Sequence, residues 1–275
     1  MIYVVTAVHN RYKITEKFVD CLLKQSYKDI KLILVDDGSI DGTSDMVKSK
    51  MPDAVIIKGN GNLWWGGSLH KAYLWLCENT DENDESYVMF ANDDTEFGNT
   101  YIENAIGILR ENRKILLTGY GIGKQTKKQV DGAIDFDFKR LSKVLSKTGK
   151  GNCASTRSLF FKLSDFKEIG GFKPKRLPHY GSDYEWTLRA CLKHGYTVVC
   201  DDKLSYFANE DTTGDNFYYT LTRKKLFSKR SASNPVYKLN FIFTALPKKY
   251  IFAALWYQVI RYFKKADKIL EILKR

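Results

Sequence analysis

Residues 87–94 read YVMFANDD, a run of apolar and aromatic side chains that ends in two adjacent carboxylates. The run at 87–91 is typical of a strand that is buried on both faces. Adjacent carboxylates at the end of such a strand repel each other and lose hydration, which costs free energy unless a positive group lies beside them. Asp93 and Asp94 are therefore candidate ligands of a cation.

The same alternation of apolar runs and amphipathic segments extends over the first 120 residues. The predicted strands are 2–5, 30–37, 54–59, 87–94, 114–120, 158–163 and 196–200, and the predicted helices are 12–25, 43–50 (with Thr43 as N-cap), 68–77, 99–111 and 183–194. Strands that alternate with helices predict an α/β fold, in which a mostly parallel sheet carries helices on both faces. Residues 121–150 are polar and poorly periodic, which predicts a flexible or hairpin-containing segment.

Polar residues cluster after three of the predicted strands, at the sheet edge where open α/β sheets bind ligands. The clusters are His9-Asn10-Arg11, DDGS at 36–39 and NDD at 92–94. Surface turns are the alternative for the two acidic clusters, because DDGS and NDDT are favourable turn sequences. Two adjacent acids with few His or Cys nearby suit Mg²⁺ or Mn²⁺, a cation that keeps coordination positions open for phosphate oxygens.

A glycine-rich stretch, GNGNLWWGGSLHKA at 59–72, places two tryptophans between pairs of glycines. Glycine lets the backbone approach a ligand closely, and Trp64 or Trp65 would then stack on a flat ring or wall a sugar pocket. The alternative is a glycine-rich turn with the tryptophans packed in the core. The stretch matches neither the phosphate-loop nor the dinucleotide-binding glycine pattern.

One further acidic motif, HYGSDYEWTLRACLKHG, occupies residues 179–195. Asp183 lies at the start of a predicted helix that ends at a left-handed Gly195, so a simple N-cap is the alternative to a chemical role. Glu185 and Arg189 are four residues apart, and we expect them to form a surface ion pair.

Composition narrows the class of protein. The 275 residues, of which 44% are hydrophobic and 28% charged, fit one large α/β domain or one domain with an appendage. Five scattered cysteines without a CxxC pair predict the reduced thiols of a cytosolic protein, and the four histidines show no zinc-type spacing. The sequence shows neither a signal peptide nor an apolar stretch long enough to predict a membrane span.

The positive charge is concentrated in the last 60 residues. Residues 216–275 contain 14 Lys and Arg against two Asp and Glu, which equals the net charge of +12 of the whole chain. Aromatic and aliphatic residues alternate with the basic ones, which predicts basic amphipathic helices on an anionic membrane surface. The alternative is a helical subdomain that packs on the rest of the chain or on a second subunit, as in a homodimer. Nucleic-acid binding is disfavoured, because no recognised nucleic-acid motif is present.

Taken together, these motifs resemble the family 2 glycosyltransferases of the inverting GT-A type. The matching stretches, in family order over residues 1–210, are TAVHNR (6–11), LVDDGSIDGT (34–43), GNLWWGGSLHKA (61–72), FANDDT (90–95), GGF (170–172) and HYGSDYEWTLRACLKHGY (179–196). WWGG resembles the branch that contains bacterial rhamnosyltransferases and related enzymes of surface-polysaccharide (O-antigen or capsule) synthesis. The resemblance implies a GT-A catalytic domain at 1–215, with a nucleotide-sugar half at 1–120, an acceptor half at 121–215 and a basic helical C-terminal region at 216–275.

The resemblance also implies a role for each matching residue. Asp183 would be the catalytic base and Asp94 the ligand of Mg²⁺ or Mn²⁺. The implied donor-nucleotide contacts are Thr6, Val8, Asn10, Arg11, Asp37, Asn62, Trp65, Gly67 and Asp93; the implied acceptor or sugar contacts are Trp64, His179, Tyr180 and Glu185. The chain departs from the family at Ser182, where Glu usually precedes the base, and at Asn209, near which many members carry a His.

The implied activity is a single displacement that moves a hexosyl or deoxyhexosyl group from a UDP- or dTDP-linked donor to a hydroxyl of a lipid-linked glycan. We expect the enzyme to work at the inner face of the cytoplasmic membrane. A sugar-phosphate nucleotidyltransferase is one alternative, but TAVHNRYK lacks the glycine-rich basic signature expected there. An inactive glycan- or membrane-binding scaffold is the other: Asp37, Asp94 and Asp183 argue against it, and the departures at 182 and 209 are compatible with it.

Overall fold

The computed structural model describes residues 1–81, 85–209, 227–229 and 231–273, with side chains as far as residue 261. The strands are β1 (Ile2–Val8), β2 (Ile30–Asp36), β3 (Val55–Lys58), β4 (Tyr87–Ala91), β5 (Glu96–Phe97), β6 (Ile115–Gly123), β7 (Gln129–Asp131), β8 (Ile134–Asp137), β9 (Ser142–Leu145), β10 (Lys150–Gly151), β11 (Ser158–Lys162) and β12 (Thr197–Ala208). The helices are α1 (Tyr12–Leu23), α2 (Thr43–Lys50), α3 (Trp64–Asn79), α4 (Tyr101–Glu111), α5 (Leu163–Ile169), α6 (Ser182–His194), α7 (Pro235–Ala245) and α8 (Lys248–Leu273).

One mixed, mostly parallel sheet organises the described part of the chain. Its strand order is β10-β12-β6-β11-β4-β1-β2-β3, with β5 paired to β12 and β7 paired to β6. The strands β3, β2, β1 and β4 are parallel, as are β6 and β12, whereas β11 runs antiparallel to both of its neighbours. The predicted α/β fold is confirmed, and the antiparallel β11 is a feature that the alternation of strands and helices did not predict.

Helices cover both faces of the sheet, because its central strands are apolar on both sides. Along β1, Val4 and Val8 pack against α1, α2 and α4, and Tyr3 and Val5 pack against α3, α5 and α6. This two-sided burial explains why the sequence shows near-continuous apolar runs rather than alternation. The carboxyl ends of β1, β2 and β4 lie together as a consequence of the parallel register.

The polar segment 121–150 was expected to be flexible or to contain hairpins, and it contains hairpins. The strand β6 turns back into β7, and β8 pairs with β9 in a separate two-stranded ladder.

Two predicted helix starts are wrong. Thr43 is the first residue of α2 rather than its cap: Gly42, with a φ of 80°, precedes it, and the Asp41 carboxylate accepts hydrogen bonds from its backbone N–H and its hydroxyl. Helix α3 begins at Trp64 instead of residue 68, so the WWGG stretch is its first turn and not a loop. The left-handed Gly195 after α6 is confirmed, with a φ of 73°.

The C-terminal helices pack on the rest of the molecule. Ile242, Ala245 and Leu246 of the α7 region join Ala254 of α8 in an apolar cluster that includes Leu188 of α6. Part of the predicted basic segment 216–275, including RKKL at 223–226, lies outside the described residues. Within the described part, none of the helices has the length and apolarity needed to cross a membrane.

Candidate active site

A cleft of about 770 Å³ opens where β1 and β4 end. It is lined by Ala7, His9, Arg11, Trp64, Trp65, Asn92, Asp93, Asp94, Lys143, Ser155, Thr156, Arg157, His179, Tyr180, Gly181, Asp183, Tyr184 and Ala232. The lining joins the strand ends of the first half to the hairpin β8–β9 and the start of α6. Three predicted donor contacts, Arg11, Trp65 and Asp93, therefore line the same cleft as three predicted acceptor contacts, Trp64, His179 and Tyr180.

The two adjacent acids have different surroundings. Both carboxylate oxygens of Asp93 accept hydrogen bonds from Arg11 Nε, at 2.9 and 2.8 Å, and one accepts from the Thr15 hydroxyl at 2.9 Å. Burial raises the pKa of Asp93, and the bonds from Arg11 and Thr15 oppose that shift. Asp94 Oδ2 lies 3.7 Å from Arg11 Nη2. Arg11 is thus the positive group that makes the acidic pair tolerable.

The chemistry of the cleft fits a divalent cation at Asp94. Carboxylate oxygen suits Mg²⁺ or Mn²⁺, and such cations are commonly held by one or two carboxylates together with substrate phosphates. Within the described residues no group of three or more His, Cys, Asp or Glu side chains converges as a metal site.

Asp37 is held inside the protein. Its carboxylate accepts backbone hydrogen bonds from Gly61, Leu63 and Trp64, at 2.8, 2.8 and 3.0 Å. These bonds satisfy N–H groups at the start of α3, which a helix cannot satisfy internally. Asp37 therefore fixes the loop that carries the two tryptophans, and the nucleotide contact implied for it stays a prediction.

The neighbouring Asp36 is also fully engaged. It accepts hydrogen bonds from Lys58 Nζ at 2.9 Å, the Ser39 backbone N–H at 2.8 Å and the Ser44 hydroxyl. Burial alone would raise the pKa of Asp36, but these bonds outweigh it and lower the pKa. The DDGS stretch is thus a hydrogen-bonded scaffold beneath the cleft.

Aromatic side chains form one wall. The Trp64 and His179 rings lie 5.4 Å apart, and the His179 and Tyr180 rings lie 4.3 Å apart. Trp64 has a φ of 60°, a conformation that is strained for a residue with a Cβ. Trp65 packs against the core beneath α3 and donates from its indole N–H to the Thr156 hydroxyl at 2.8 Å. Both tryptophans line the cleft, and Trp65 is in addition packed against the core.

Asp183 lies at the N-terminal end of α6 and faces the cleft. Burial raises the pKa of its carboxyl group to about 6, against the opposing effect of Lys143 and of the Tyr184 backbone N–H, which donates to it at 2.9 Å. A carboxylate with such a pKa is ionised near neutral pH and is still basic enough to accept a proton.

Several predicted site residues lie outside this lining. Thr6 and Val8 are buried in β1, Gly67 is interior to α3, Asn10 accepts a hydrogen bond from the Ile40 backbone N–H, and Asn62 accepts one from the Trp64 indole N–H. Glu185 and Arg189 form the expected pair, with 3.0 Å between Glu185 Oε1 and Arg189 Nε, but its predicted place on the surface is wrong: the two side chains are 1% and 9% exposed, and Lys173 also contacts Glu185 at 2.7 Å. Glu185 therefore lies in the protein interior and outside the cleft lining.

The sequence did not indicate three contributors to the cleft. Lys143 of β9 and Arg157 add positive charge beside Arg11, and Ser155 is held by a hydrogen bond to the buried Asp131. Asp131 also accepts from the Tyr206 hydroxyl at 2.7 Å. The lining also contains three acidic residues, Asp93, Asp94 and Asp183, which equal its three basic residues in number. All three missed residues come from segments without periodic pattern.

The mostly parallel sheet with helices on both faces is the GT-A fold of known glycosyltransferases. The chain matches the profile described as "Glycosyl transferase family 2" over residues 3–166, and it belongs to that family. No significant match was found among curated proteins.

Solved structures with this fold include several glycosyltransferases. TarS of S. aureus superposes with a TM-score of 0.59 at 15% identity, over 92% of this chain and 50% of TarS. PcManGT, a mannosyltransferase from Pyrobaculum calidifontis in complex with GDP-Man and Mn²⁺, gives 0.59 at 14% identity, over 93% of this chain and 69% of that chain. GalNAc-T7 with UDP, GalNAc and Mn²⁺ gives 0.61 at 12% identity, over 76% and 43%. The chain thus spans half the length of TarS, and at these identities the likeness establishes the fold alone.

Proposed function

We propose that the chain is an inverting glycosyltransferase that moves a hexosyl or deoxyhexosyl group from a nucleoside-diphosphate donor to a hydroxyl of a glycan. The observation that carries this proposal is the placement of Asp183, with its raised pKa, in the same cleft as Asp94. One carboxylate that accepts a proton and one that binds a cation are the two acidic roles that a single displacement needs.

In the proposed reaction, Asp183 accepts the proton of the acceptor hydroxyl as the oxygen attacks the anomeric carbon. The bond from that carbon to the donor phosphate breaks in the same step, so the configuration inverts without a covalent enzyme intermediate. Arg11 and Arg157 line the cleft and provide positive charge for the departing diphosphate. Trp64 and His179 offer a flat wall for a sugar ring.

Asp94 would hold Mg²⁺ or Mn²⁺, and the cation would neutralise charge on the diphosphate. Mn²⁺ is present in the structures of PcManGT and GalNAc-T7, which supports a divalent cation here. Asp93 is a positioning residue in this scheme, because Arg11 and Thr15 already occupy its carboxylate.

The donor and pathway are proposed more specifically from the sequence motifs. A UDP- or dTDP-linked sugar and an acceptor of bacterial surface-polysaccharide synthesis are the proposed substrates, with the protein at the inner face of the cytoplasmic membrane. A structure of TarS 1–349 in complex with UDP-GlcNAc supports a nucleotide-sugar donor in this fold.

A screen of nucleotide sugars with Mn²⁺, read as donor hydrolysis or thermal shift, tests the proposal. Asp183→Asn is expected to lower turnover by roughly 10²–10⁴-fold and to leave the donor dissociation constant unchanged. The matched control is Asp135→Asn, an exposed carboxylate on β8. A protein that binds a donor but turns none over with any acceptor would contradict an enzyme and support the scaffold; full turnover by Asp183→Asn would move the base elsewhere.

A further inference from the structure

Helix α8 has one face buried and one face exposed. Phe252 is 80% exposed and Trp256 is 61% exposed, and Val259 and Ile260 continue the same face one turn further. Ala254, on the opposite face, is buried. Spacings of four, seven and eight residues from Phe252 place these four side chains on one stripe of the helix. We call them the α8 aromatic face.

Basic residues flank this face along the chain. Lys248 and Lys249 begin the helix and are exposed, and Arg261 follows Ile260. Residues 216–266 contain eleven Lys and Arg and no Asp or Glu. A solvated helix of a globular protein does not need two large exposed aromatic residues, whereas a helix that lies in a bilayer surface combines them with cations.

The face is connected to the predicted acceptor wall of the cleft. Helix α7 joins α8 through Leu246, and its Asn240 side chain donates to the Arg176 carbonyl at 3.0 Å. The ring of Phe241 packs over Gly181, where an added Cβ would approach it to 3.3 Å. The segment 176–181 contains His179 and Tyr180, so α7 links the exposed face to that wall through direct contacts.

We propose that the α8 aromatic face docks on the surface of an anionic lipid bilayer. Charge complementarity selects this occupant, because phosphate headgroups match the uninterrupted positive charge and the interfacial region suits Trp and Phe side chains. A second copy of the chain fits less well, since a two-fold contact would bring two identical positive faces together. If the proposed function holds, this docking presents the cleft to acceptors carried on lipids; the docking itself does not depend on the reaction.

Sedimentation of the full chain with vesicles tests the proposal. We expect binding to vesicles of phosphatidylcholine with phosphatidylglycerol, weak binding to phosphatidylcholine alone, and weaker binding as NaCl is raised. The double variant Phe252→Ser, Trp256→Ser is expected to lose about tenfold or more in binding to the anionic vesicles. The matched control, Leu23→Ser, Leu74→Ser, changes two exposed leucines of α1 and α3 and is expected to bind like the original chain.

Two results of the vesicle experiment would overturn the docking. One is equal binding to neutral and anionic vesicles; the other is equal binding by the double variant and the control. A dimer in analytical ultracentrifugation that the double variant abolishes would assign the face to a second copy. Donor hydrolysis by the double variant, measured without vesicles, tests the proposed reaction separately from the docking. If the variant hydrolyses the donor but no longer binds vesicles, both proposals are supported. If the chain binds vesicles but no form hydrolyses a donor, only the proposed reaction is removed.

Discussion

At the residue scale, the chemistry depends on whether Asp183 is ionised. Burial raises the pKa of its carboxyl group to about 6, Lys143 opposes the shift, and Asp131 adds to it. Because the deprotonated form is the base, kcat/KM is expected to fall as the pH drops through about 6. Lys143→Met removes an opposing positive charge, so the acidic limb of the profile should move to higher pH. The measurement is kcat/KM against pH for both proteins.

The control for this prediction is Lys147→Met, an exposed lysine that does not line the cleft. The acidic limb of the kcat/KM profile against pH should be the same for Lys147→Met as for the unchanged chain. If Lys143→Met also leaves the limb in place while lowering turnover, Lys143 acts on the substrate and not through Asp183.

The sequence indicated the acidic residues of the cleft but not the partners that set their properties. The pattern of apolar residues indicates where a strand ends and where a helix begins, and Asp94 and Asp183 lie at two such positions. The pairing of Arg11 with Asp93, 82 residues apart, follows only from the parallel register of β1 and β4. Lys143 was missed because the β8–β9 hairpin has no periodic signal and its position relative to α6 is a tertiary property.

At the scale of elements, the start of α3 joins the two halves of the cleft. The Gly66 backbone N–H donates to the Pro178 carbonyl at 2.8 Å, and a Cβ on Gly66 would lie 2.6 Å from the Leu177 carbonyl oxygen. A Cβ on Gly67 would lie 3.4 Å from Leu63, an ordinary contact. The two adjacent glycines therefore differ in one respect: a side chain at position 66 would collide with the backbone, whereas one at position 67 would not.

Gly66→Ala is expected to lower the free energy of unfolding by roughly 1–3 kcal/mol, because the backbone contact must open. Gly67→Ala is expected to be neutral or to stabilise by up to about 1 kcal/mol, because Ala is the better helix former. Urea denaturation followed by circular dichroism measures both. Equal losses for the two variants would contradict a close approach specific to Gly66.

The same stretch shows why sequence pattern failed for this element. Two glycines lower the helix propensity of residues 64–67, and the pattern predicts a helix only from residue 68, yet packing of α3 against the segment 177–182 requires a residue without a side chain. Likewise, SLFFK was correctly identified as strand β11, but its antiparallel direction depends on the chain path through the hairpins before it.

The cluster of Glu185, Arg189 and Lys173 holds α6 against the segment 169–173. Arg189 donates to the carbonyls of Ile169 and Gly171, and Glu185 accepts from Arg189 Nε at 3.0 Å and from Lys173 Nζ at 2.7 Å. Glu185→Ala would leave the Arg189 charge buried without its carboxylate, so we expect a loss of about 3–5 kcal/mol in the free energy of unfolding.

Glu96→Ala is the matched control for that prediction, because Glu96 pairs with Lys124 at 2.7 Å on the exposed side of β5. An exposed pair of this kind is worth about 1 kcal/mol or less. The double variant Glu185→Leu, Arg189→Met removes both charges and should recover part of the loss. A small effect of Glu185→Ala in urea denaturation would show that solvent compensates Arg189 and that the cluster is not a structural brace.

At the scale of the whole molecule, the C-terminal region has two different sides, one that packs on the protein and one that is exposed. Its inward side adds Ile242, Leu246 and Ala254 to an apolar cluster with α6, and its outward side carries the aromatic and basic residues of α8. The sequence placed all the net charge there but could not separate docking from packing, because an amphipathic helix is compatible with both. The structure assigns the described helices a packed face and an exposed one.

The inward packing predicts that α7 and α8 unfold together with the sheet. Leu246 is buried in the cluster, so Leu246→Ala should lower the free energy of unfolding by about 2–5 kcal/mol. Phe243, three residues earlier on the exposed side, is the control, and Phe243→Ala should change it by about 0.5 kcal/mol or less. Thermal unfolding should show one transition by both circular dichroism and tryptophan fluorescence. If a second transition appeared and Leu246→Ala shifted only that transition, residues 235–273 would be a separate folding unit. The contacts of α7 would then connect α8 to the cleft without holding the two rigidly together.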